Sequence, residues 1–370
     1  MLKKFYVDNY KCLVNFETAF NELSLLLGQN GVGKTSVLDV MFALHKLLSG
    51  TAKVTDPEVF PGRTLTRWQK RNKQVFEISL ELDDVGELSY RLEVEHETST
   101  RRARIALERL TADGKPLFEF EHGEVQLYLD NHSQGPAFSA DWSESALARV
   151  PARDDNKKLT LFLEFARKIQ VCGLYPRSFE TESRTEDPLL LRDGSNFSAW
   201  YRHMFQERQD LVPEYTKALG EVIEGFKSIR LATVGEETRA LMVVFEERGE
   251  RYELRLDELS DGQRALLAIY ALLYMTSGQG YSLFLDEPDN FIALAEIQPW
   301  LMALSDACGD TIGQVVICSH HPELIDYLGG DHGLQLKREA SGATVAKKLT
   351  VNHDTAGLKL SEIVARGWER

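Results

Sequence analysis

Eight consecutive residues carry the strongest chemical signal in this 370-residue chain: Gly28-Gln29-Asn30-Gly31-Val32-Gly33-Lys34-Thr35. Their spacing is G-x-x-x-x-G-K-[ST]. Glycines so placed let backbone N–H groups converge on phosphate oxygens, and a helix beginning there adds positive potential. Lys34 would reach the β- and γ-phosphates and Thr35 would ligate Mg²⁺. Gly28, Asn30, Gly31, Gly33 and Ser36 complete the candidate loop. The bland alternative is a glycine turn with a lysine beside it. A strand before the loop and a helix after it favour phosphate.

Three further stretches could act on the same chemistry. In "LFLDEP" (283–288) an apolar strand ends in Asp286 and Glu287. The first acid can hold the Mg²⁺ shell, and the second can orient or deprotonate an attacking water. Acids are common at strand ends, so this pair gains meaning from the phosphate loop. In "VVICSHHPE" (315–323) a second apolar strand delivers His320 to its C-terminal end, where ligands bind in parallel α/β sheets. A histidine there can contact a γ-phosphate, or merely cap a loop; His321 is the weaker of the pair. The third stretch is "LSDGQ" (259–263), at the entrance to an apolar helix. Gly262 and the N–H groups after it suit an anion, and Ser260 adds a hydroxyl.

These residues need elements to hold them. "KKFYVDNY", "VNFETAF" and "LSLLLGQ" read as three short strands within residues 1–28. Val37, Leu38, Met41, Phe42, Leu44 and Leu47 fall at helical spacing, and Gly50 sits where that helix would end. Residues 74–130 alternate with period two, as an antiparallel meander does, and 131–158 read as loop. "KKLTLFLEFARKI" and residues 195–226 read as helices, with Ser195 or Asn196 as an N-cap. Strands return over 229–257, then a helix over 262–276. "YSLFLDEP" and "VVICSHHP" are continuously apolar, as strands buried on both faces are.

Composition bounds the rest. Lys and Arg number 43 against 57 Asp and Glu, a net charge of −14. That balance argues against a broad nucleic-acid footprint, though a local basic patch could sit inside it. Cys12, Cys172, Cys308 and Cys318 show no CxxC spacing and read as reduced thiols. The N-terminus does not read as a signal peptide, and no apolar run nears the ~18 residues of a membrane span. A cytoplasmic protein without a membrane partner is expected. The other histidines show no ligand spacing for zinc.

In order, the motifs resemble an ABC-type ATPase: GxxxxGKT, a long insert, LSDGQ, an apolar run ending in Asp-Glu, then a histidine after another strand. Within that class they are similar to the soluble RecF/SMC-like group, and most like small stand-alone ATPases related to the OLD family. The opening "FYVDNYKCLVNFETAF", "LRDGSNFSAW" (191–200) and the closing "LKLSEIVARGW" (358–368) share the likeness. It implies an α/β fold: a single P-loop ABC-type ATPase head over 1–370 with a mixed core sheet. Residues 1–130 would hold the P-loop and an antiparallel β-lobe, 131–228 a mostly helical insert, and 229–370 the signature, Walker B and switch-histidine lobe.

The resemblance also implies roles. ATP and Mg²⁺ would be bound by Lys34, Thr35 and the loop glycines, with Asp286 supporting the metal. Glu287 would be the catalytic base and His320 the switch histidine. Ser260, Gly262 and Gln263 would contact the ATP held by a second protomer, closing a head-to-head homodimer. Two positions depart from the pattern. Gln170 is poorly placed for the family's Q-loop glutamine, with Tyr175-Pro176-Arg177 at the expected loop. Asp261 stands where transporters have glycine, and is expected to face away from nucleotide.

The 226-residue span from Lys34 to Ser260 is too long for a transporter subunit, and its short helices do not suit the long coiled coils of SMC proteins. The 50 residues after His320 are too few for the nuclease domain of OLD enzymes. The expected function is therefore an ATP-switched ATPase that controls a separate effector, such as a nuclease or toxin in phage defence. The alternative is a RecF-like repair ATPase with DNA as a direct partner.

Overall fold

A computed structural model describes residues 1–82, 85–97, 102–350 and 358–366. Gly367 and Trp368, at the end of the closing segment, lie outside the described residues. The chain forms two compact units. One comprises residues 1–169 and 328–370, the other residues 170–327.

The first unit opens with β1 (Leu2–Asp8), β2 (Phe16–Ala19) and β3 (Leu23–Leu27), followed by α1 (Lys34–Leu48). Then come β4 (Lys73–Leu82), β5 (Gly86–His96), β6 (Ala103–Ala112), β7 (Lys115–Glu121), β8 (Glu124–Tyr128), β9 (Gln134–Ser139) and α2 (Lys157–Arg167). An eight-stranded antiparallel sheet runs β2-β1-β4-β5-β6-β7-β8-β9. Its period-two alternation sends Leu88, Tyr90, Leu92 and Val94 of β5 inward. The opposite face carries cross-strand ion pairs, among them Lys73–Glu93 at 2.8 Å, Arg104–Glu95 at 2.7 Å and Arg109–Glu119 at 3.0 Å. Such pairs pin register more than they stabilise. The buried Glu108 accepts from Tyr90 Oη at 2.9 Å, Ser145 Oγ at 2.5 Å and Leu147 N at 3.3 Å, fastening the segment before α2 onto the sheet.

The helix α1 buries Val37, Leu38, Met41, Leu44 and Leu47. It stops where Gly50 takes φ +69° and donates to Leu47 O, a left-handed C-terminal stop. His45 Nδ1 lies 2.9 Å from Ala166 O of α2, so Nδ1 carries the proton of this contact. His96, which is buried, meets Gln74 Oε1 at 2.9 Å. Burial holds both imidazoles below the usual histidine range, against the Ala166 carbonyl in the case of His45. The unfolded chain therefore binds more protons below pH ~6.5, and folding stability is lost as pH falls through that window. The unfolding free energy from urea titrations is expected to drop between pH 7.5 and 5.5 with a limiting slope of about 1.4 kcal/mol per pH unit per site. Glu108, whose carboxyl burial pushes up, contributes in the opposite sense. The slope difference between wild type and His45→Gln isolates the His45 part; identical slopes would exclude it.

The second unit contains β10 (Ile169–Cys172), β11 (Glu182–Ser183), α3 (Phe197–Glu207), α4 (Val212–Val222), β12 (Phe226–Thr233), β13 (Arg239–Glu247) and β14 (Glu250–Arg255). After these come α5 (Asp261–Met275), β15 (Ser282–Asp286), α6 (Leu294–Ala307), β16 (Gln314–Cys318) and the start of α7 (Pro322–His332). β15 and β16 pair in parallel, Ser282 opposite Gln314 through Asp286 opposite Cys318, with β10 beside β15. Leu283 to Leu285 and all of β16 are buried, which is why these runs carry no polar alternation. β13 pairs with β11, β12 and β14. α5 is nearly all core, and two large aromatics place their polar ends on its carbonyls. Tyr215 Oη donates to Leu267 O at 2.9 Å and Trp300 Nε1 to Ile269 O at 3.1 Å.

The chain then returns to the first unit with β17 (Gly333–Arg338), β18 (Thr344–Lys348) and α8 (Leu360–Ala365). β17 runs parallel to β3 and antiparallel to β18. Two details differ from the sequence reading. β9 lies in the stretch expected to be loop; its Gly135 and Pro136 disguise an edge strand, the one place a sheet tolerates them. Asn196 takes the N-cap position of α3, but its side chain does not cap. Instead it accepts from Leu191 N at 2.8 Å and donates to Leu189 O at 2.8 Å, holding the preceding loop. No described helix is long and apolar enough to cross a membrane.

Candidate functional site

In the first unit the glycine loop joins β3 to α1. Gly28, Gly31 and Gly33 have φ of +148°, +80° and +110°, a region that penalises any side chain. A Cβ on Gly28 would sit 2.6 Å from Leu336 O, and one on Gly33 2.7 Å from Cys12 Sγ. No side chain caps α1 and no acid lies in its first turn, so its N-terminal potential stays positive. Lys34 is buried, and its Nζ donates to Gly28 O at 2.7 Å and Gln29 O at 3.5 Å. The ammonium thus lies folded over the loop. Asn30 and Thr35 are exposed and Ser36 is buried. Behind the loop, Thr344 Oγ1 donates to Val32 O at 2.6 Å and Cys12 Sγ to the same oxygen at 3.6 Å. Thr344 N donates to Cys12 O at 3.0 Å. Neither brace is evident from the motif.

In the second unit Asp286 is the last residue of β15. Glu287 follows with φ +47°, unusual for a non-glycine residue, and its N–H donates to Cys318 O at 2.7 Å. This turn aims the carboxylate at two donors. His320 Nδ1 lies 3.0 Å from Glu287 Oε1, and Asn290 Nδ2 donates to Oε2 at 3.0 Å. A carboxylate only accepts, so Nδ1 is the protonated ring nitrogen here. Glu287 is 31% exposed and His320 61%, so both can meet a ligand. Two motifs separated in sequence are therefore joined side chain to side chain.

The turn carrying His320 is built on buried polar groups. Asp289 is 5% exposed; burial pushes its carboxyl up, against a hydrogen bond from Ser319. Its Oδ1 has no partner among the described residues. Ser319 Oγ accepts from His321 N at 2.9 Å, and His321 Nδ1 accepts from Glu323 N at 3.2 Å. His321 is thus occupied at the start of α7, which leaves His320 as the exposed member of the pair. Asn290 and Asp289 escaped sequence reasoning because a turn after Asp-Glu offers many polar residues and no spacing rule.

Ser260 and Gln263 form a reciprocal cap on α5. Ser260 Oγ accepts from Gln263 N at 3.1 Å, and Gln263 Oε1 accepts from Ser260 N at 3.0 Å. The serine oxygen therefore serves its own helix, while the hydroxyl proton remains to be donated. A Cβ on Gly262 would lie 2.7 Å from Phe291 O, so glycine is required by close packing there. Asp261 is turned onto Arg177, with Nε to Oδ2 at 2.8 Å, and Arg264 Nη1 donates to Pro176 O at 3.2 Å. The Tyr175-Pro176-Arg177 segment is thus tied to the start of α5. Gln170 is buried in β10 and donates to Leu190 O at 3.0 Å.

Comparisons with known proteins bear on the family and on the fold. A family described as "AAA domain, putative AbiEii toxin, Type IV TA system" matches residues 23–326. No curated protein matches the sequence. Among solved structures, an SMC head bound to the C-terminal winged-helix domain of ScpA aligns with a TM-score of 0.57 at 13% identity. It covers 96% of this chain and 99% of that one. An SMC head with an extended coiled coil, bound to the C-terminal domain of ScpA and derived from Pyrococcus furiosus, aligns with a TM-score of 0.56 at 12% identity, covering 99% and 98%. At these identities the likeness is one of fold: a mixed α/β head of the SMC, ABC-type kind. With the glycine loop, the Asp-Glu strand end and most of the length inside one family match, the chain belongs to the AAA_21 family of AAA domains.

Proposed function

We propose that this protein is an ATP-binding and ATP-hydrolysing switch that closes as a head-to-head dimer on ATP and works through a separate protein partner. The observation that carries the reading is the Glu287–His320 pair, a carboxylate and an imidazole at 3.0 Å on adjacent strand ends, in a chain that also holds a full phosphate loop.

The residues fit a nucleoside triphosphate. Three positive-φ glycines and an uncapped helix start leave the loop backbone open toward an anion. Lys34 would exchange its long contact with Gln29 O for β- and γ-phosphate oxygens. Thr35 would ligate Mg²⁺, which would supply charge neutralisation, and Asp286 is the carboxylate we assign to metal support. Glu287 would take the proton of the attacking water. Asn290 fixes one carboxylate oxygen and His320 Nδ1 meets the other. His320, protonated at Nδ1, would act as the switch histidine through that carboxylate.

Ser260, Gly262 and Gln263 would meet the triphosphate held by the partner protomer. The Ser260 hydroxyl proton and the start of α5 would supply the donors. Pairing with Arg177 would offset the repulsion of Asp261 toward that phosphate. Two observations support a separate protein partner. The family description names a toxin–antitoxin system, and the aligned SMC heads are bound to a domain of another protein, ScpA.

Lys34→Ala tests the nucleotide assignment. Labelled ATP in the presence of Mg²⁺ is expected to bind the wild type and to bind this variant at least about tenfold more weakly, since a charge-assisted hydrogen bond is worth ~1.5–3 kcal/mol. Equal affinity would place the nucleotide elsewhere.

A further inference from the structure

Nine basic residues in two short segments stand out in a chain whose acids outnumber its bases. "GRTLTRWQKRNK" (62–73) contains Arg63, Arg67, Lys70, Arg71 and Lys73 and no acid. "GLQLKREASGATVAKK" (333–348) contains Lys337, Arg338, Lys347 and Lys348 against the single acid Glu339. Both segments belong to the first unit, and they meet at one residue. The Arg338 guanidinium lies 5.6 Å from the centre of the Trp68 ring, and a Cβ on Gly342 would touch that ring at 3.4 Å. Trp68 nevertheless remains 46% exposed.

The loop presenting Trp68 is firmly held. Lys11 N donates to Thr64 O at 2.6 Å, Asn9 Nδ2 donates to Arg71 O at 3.0 Å, and Thr66 is buried. Arg71 is spent on Asp8 and Lys73 on Glu93. Arg67, Lys70 and Arg338 have no acidic partner among the described residues. The result is a fixed, solvent-facing indole flanked by unneutralised cations. A half-exposed tryptophan ring is a stacking platform for an unpaired base, and the cations around it match a phosphate backbone.

We propose that Arg67, Trp68, Lys70 and Arg338 form a docking surface for single-stranded nucleic acid. A base stacks on Trp68, whose orientation Arg338 fixes, and the neighbouring phosphates lie on Arg67 and Lys70. Duplex is disfavoured because its bases are already stacked on one another. A bilayer is disfavoured because the indole is clamped into a hairpin rather than carried on an amphipathic helix.

The test is fluorescence anisotropy of labelled oligo(dT) and oligo(U) of roughly 15 nucleotides, a length within the usual site sizes for such surfaces. Single-strand affinity is expected to fall with salt at a log–log slope of about −1.4 to −2 for two to three phosphate contacts. Trp68→Ala should weaken binding by about tenfold or more, and Trp68→Phe should restore most of it. The double change Arg67→Ala, Lys70→Ala should flatten the salt slope by about 1.4. The oligo(dT) and oligo(U) arms separate DNA from RNA. ATP affinity should be unchanged in all three variants, which also shows that they are folded. Three outcomes would each overturn the proposal: no oligonucleotide binding at low salt, equal loss of ATP binding in Trp68→Ala, or binding to anionic phosphatidylserine vesicles in place of oligonucleotide.

Discussion

Glu287→Gln is expected to lower ATP turnover by about 10²- to 10⁴-fold, the usual contribution of a positioned general base, while leaving ATP affinity within about twofold of wild type. The geometry makes this a clean substitution. Glutamine keeps the volume, and its oxygen can still accept from Asn290 Nδ2 or His320 Nδ1. It adds no backbone penalty, because the left-handed φ of +47° costs glutamate and glutamine alike. What it removes is the capacity to take a proton from water. Phosphate release and equilibrium binding of labelled ATP, measured on one preparation, separate the two effects. Turnover within about threefold of wild type would remove Glu287 from the chemistry.

The second large effect is expected at the entrance of α5. Ser260→Arg should abolish ATP-driven association and turnover and leave binding of ATP to the single chain intact, since Ser260 is proposed to meet only the triphosphate of the partner protomer. The capping box complicates a simple reading. Losing the serine cap costs about 1 kcal/mol by itself. Ser260→Asp resolves this, because aspartate caps as well as serine but sets a negative charge where phosphate is proposed to dock. If Ser260 meets a partner's triphosphate, both variants lose closure. If it serves only its own helix, Ser260→Asp closes and turns over normally. Analytical ultracentrifugation with and without ATP, beside a phosphate-release assay, distinguishes the cases.

The parts of the site that were legible in the sequence depend on neighbours along the chain. The strand–glycine–helix order around Lys34 is local, as is the apolar run ending at Asp286. Strand ends and helix starts are fixed by propensity and by glycines that alone tolerate the required φ. The meander showed for the same reason: period-two alternation is written into adjacent residues. What was not legible depends on register between distant segments. Thr344 braces Val32 across 312 residues of chain, and Cys12 reaches the same carbonyl. Nothing near either residue announces it. The Asp261–Arg177 pair spans 84 residues, and the sequence showed only that the acid ought to face elsewhere. His320 was placed at a strand end from sequence, but its contact with Glu287 follows from the parallel pairing of β15 with β16. The bases around Trp68 are adjacent in the sequence. The meeting of Trp68 with Arg338 was not legible, because the hairpin of β17 and β18 carries the arginine back from the far end of the chain.

The proposed closure is tested most directly by the molar mass of Glu287→Gln in solution, measured by light scattering with Mg²⁺ and with or without saturating ATP. With hydrolysis blocked, the closed state should accumulate. The mass is predicted to double on ATP, and Ser260→Arg in the same background should prevent the doubling. A mass that stays at one chain, under conditions where labelled ATP is bound, would contradict the two-protomer site.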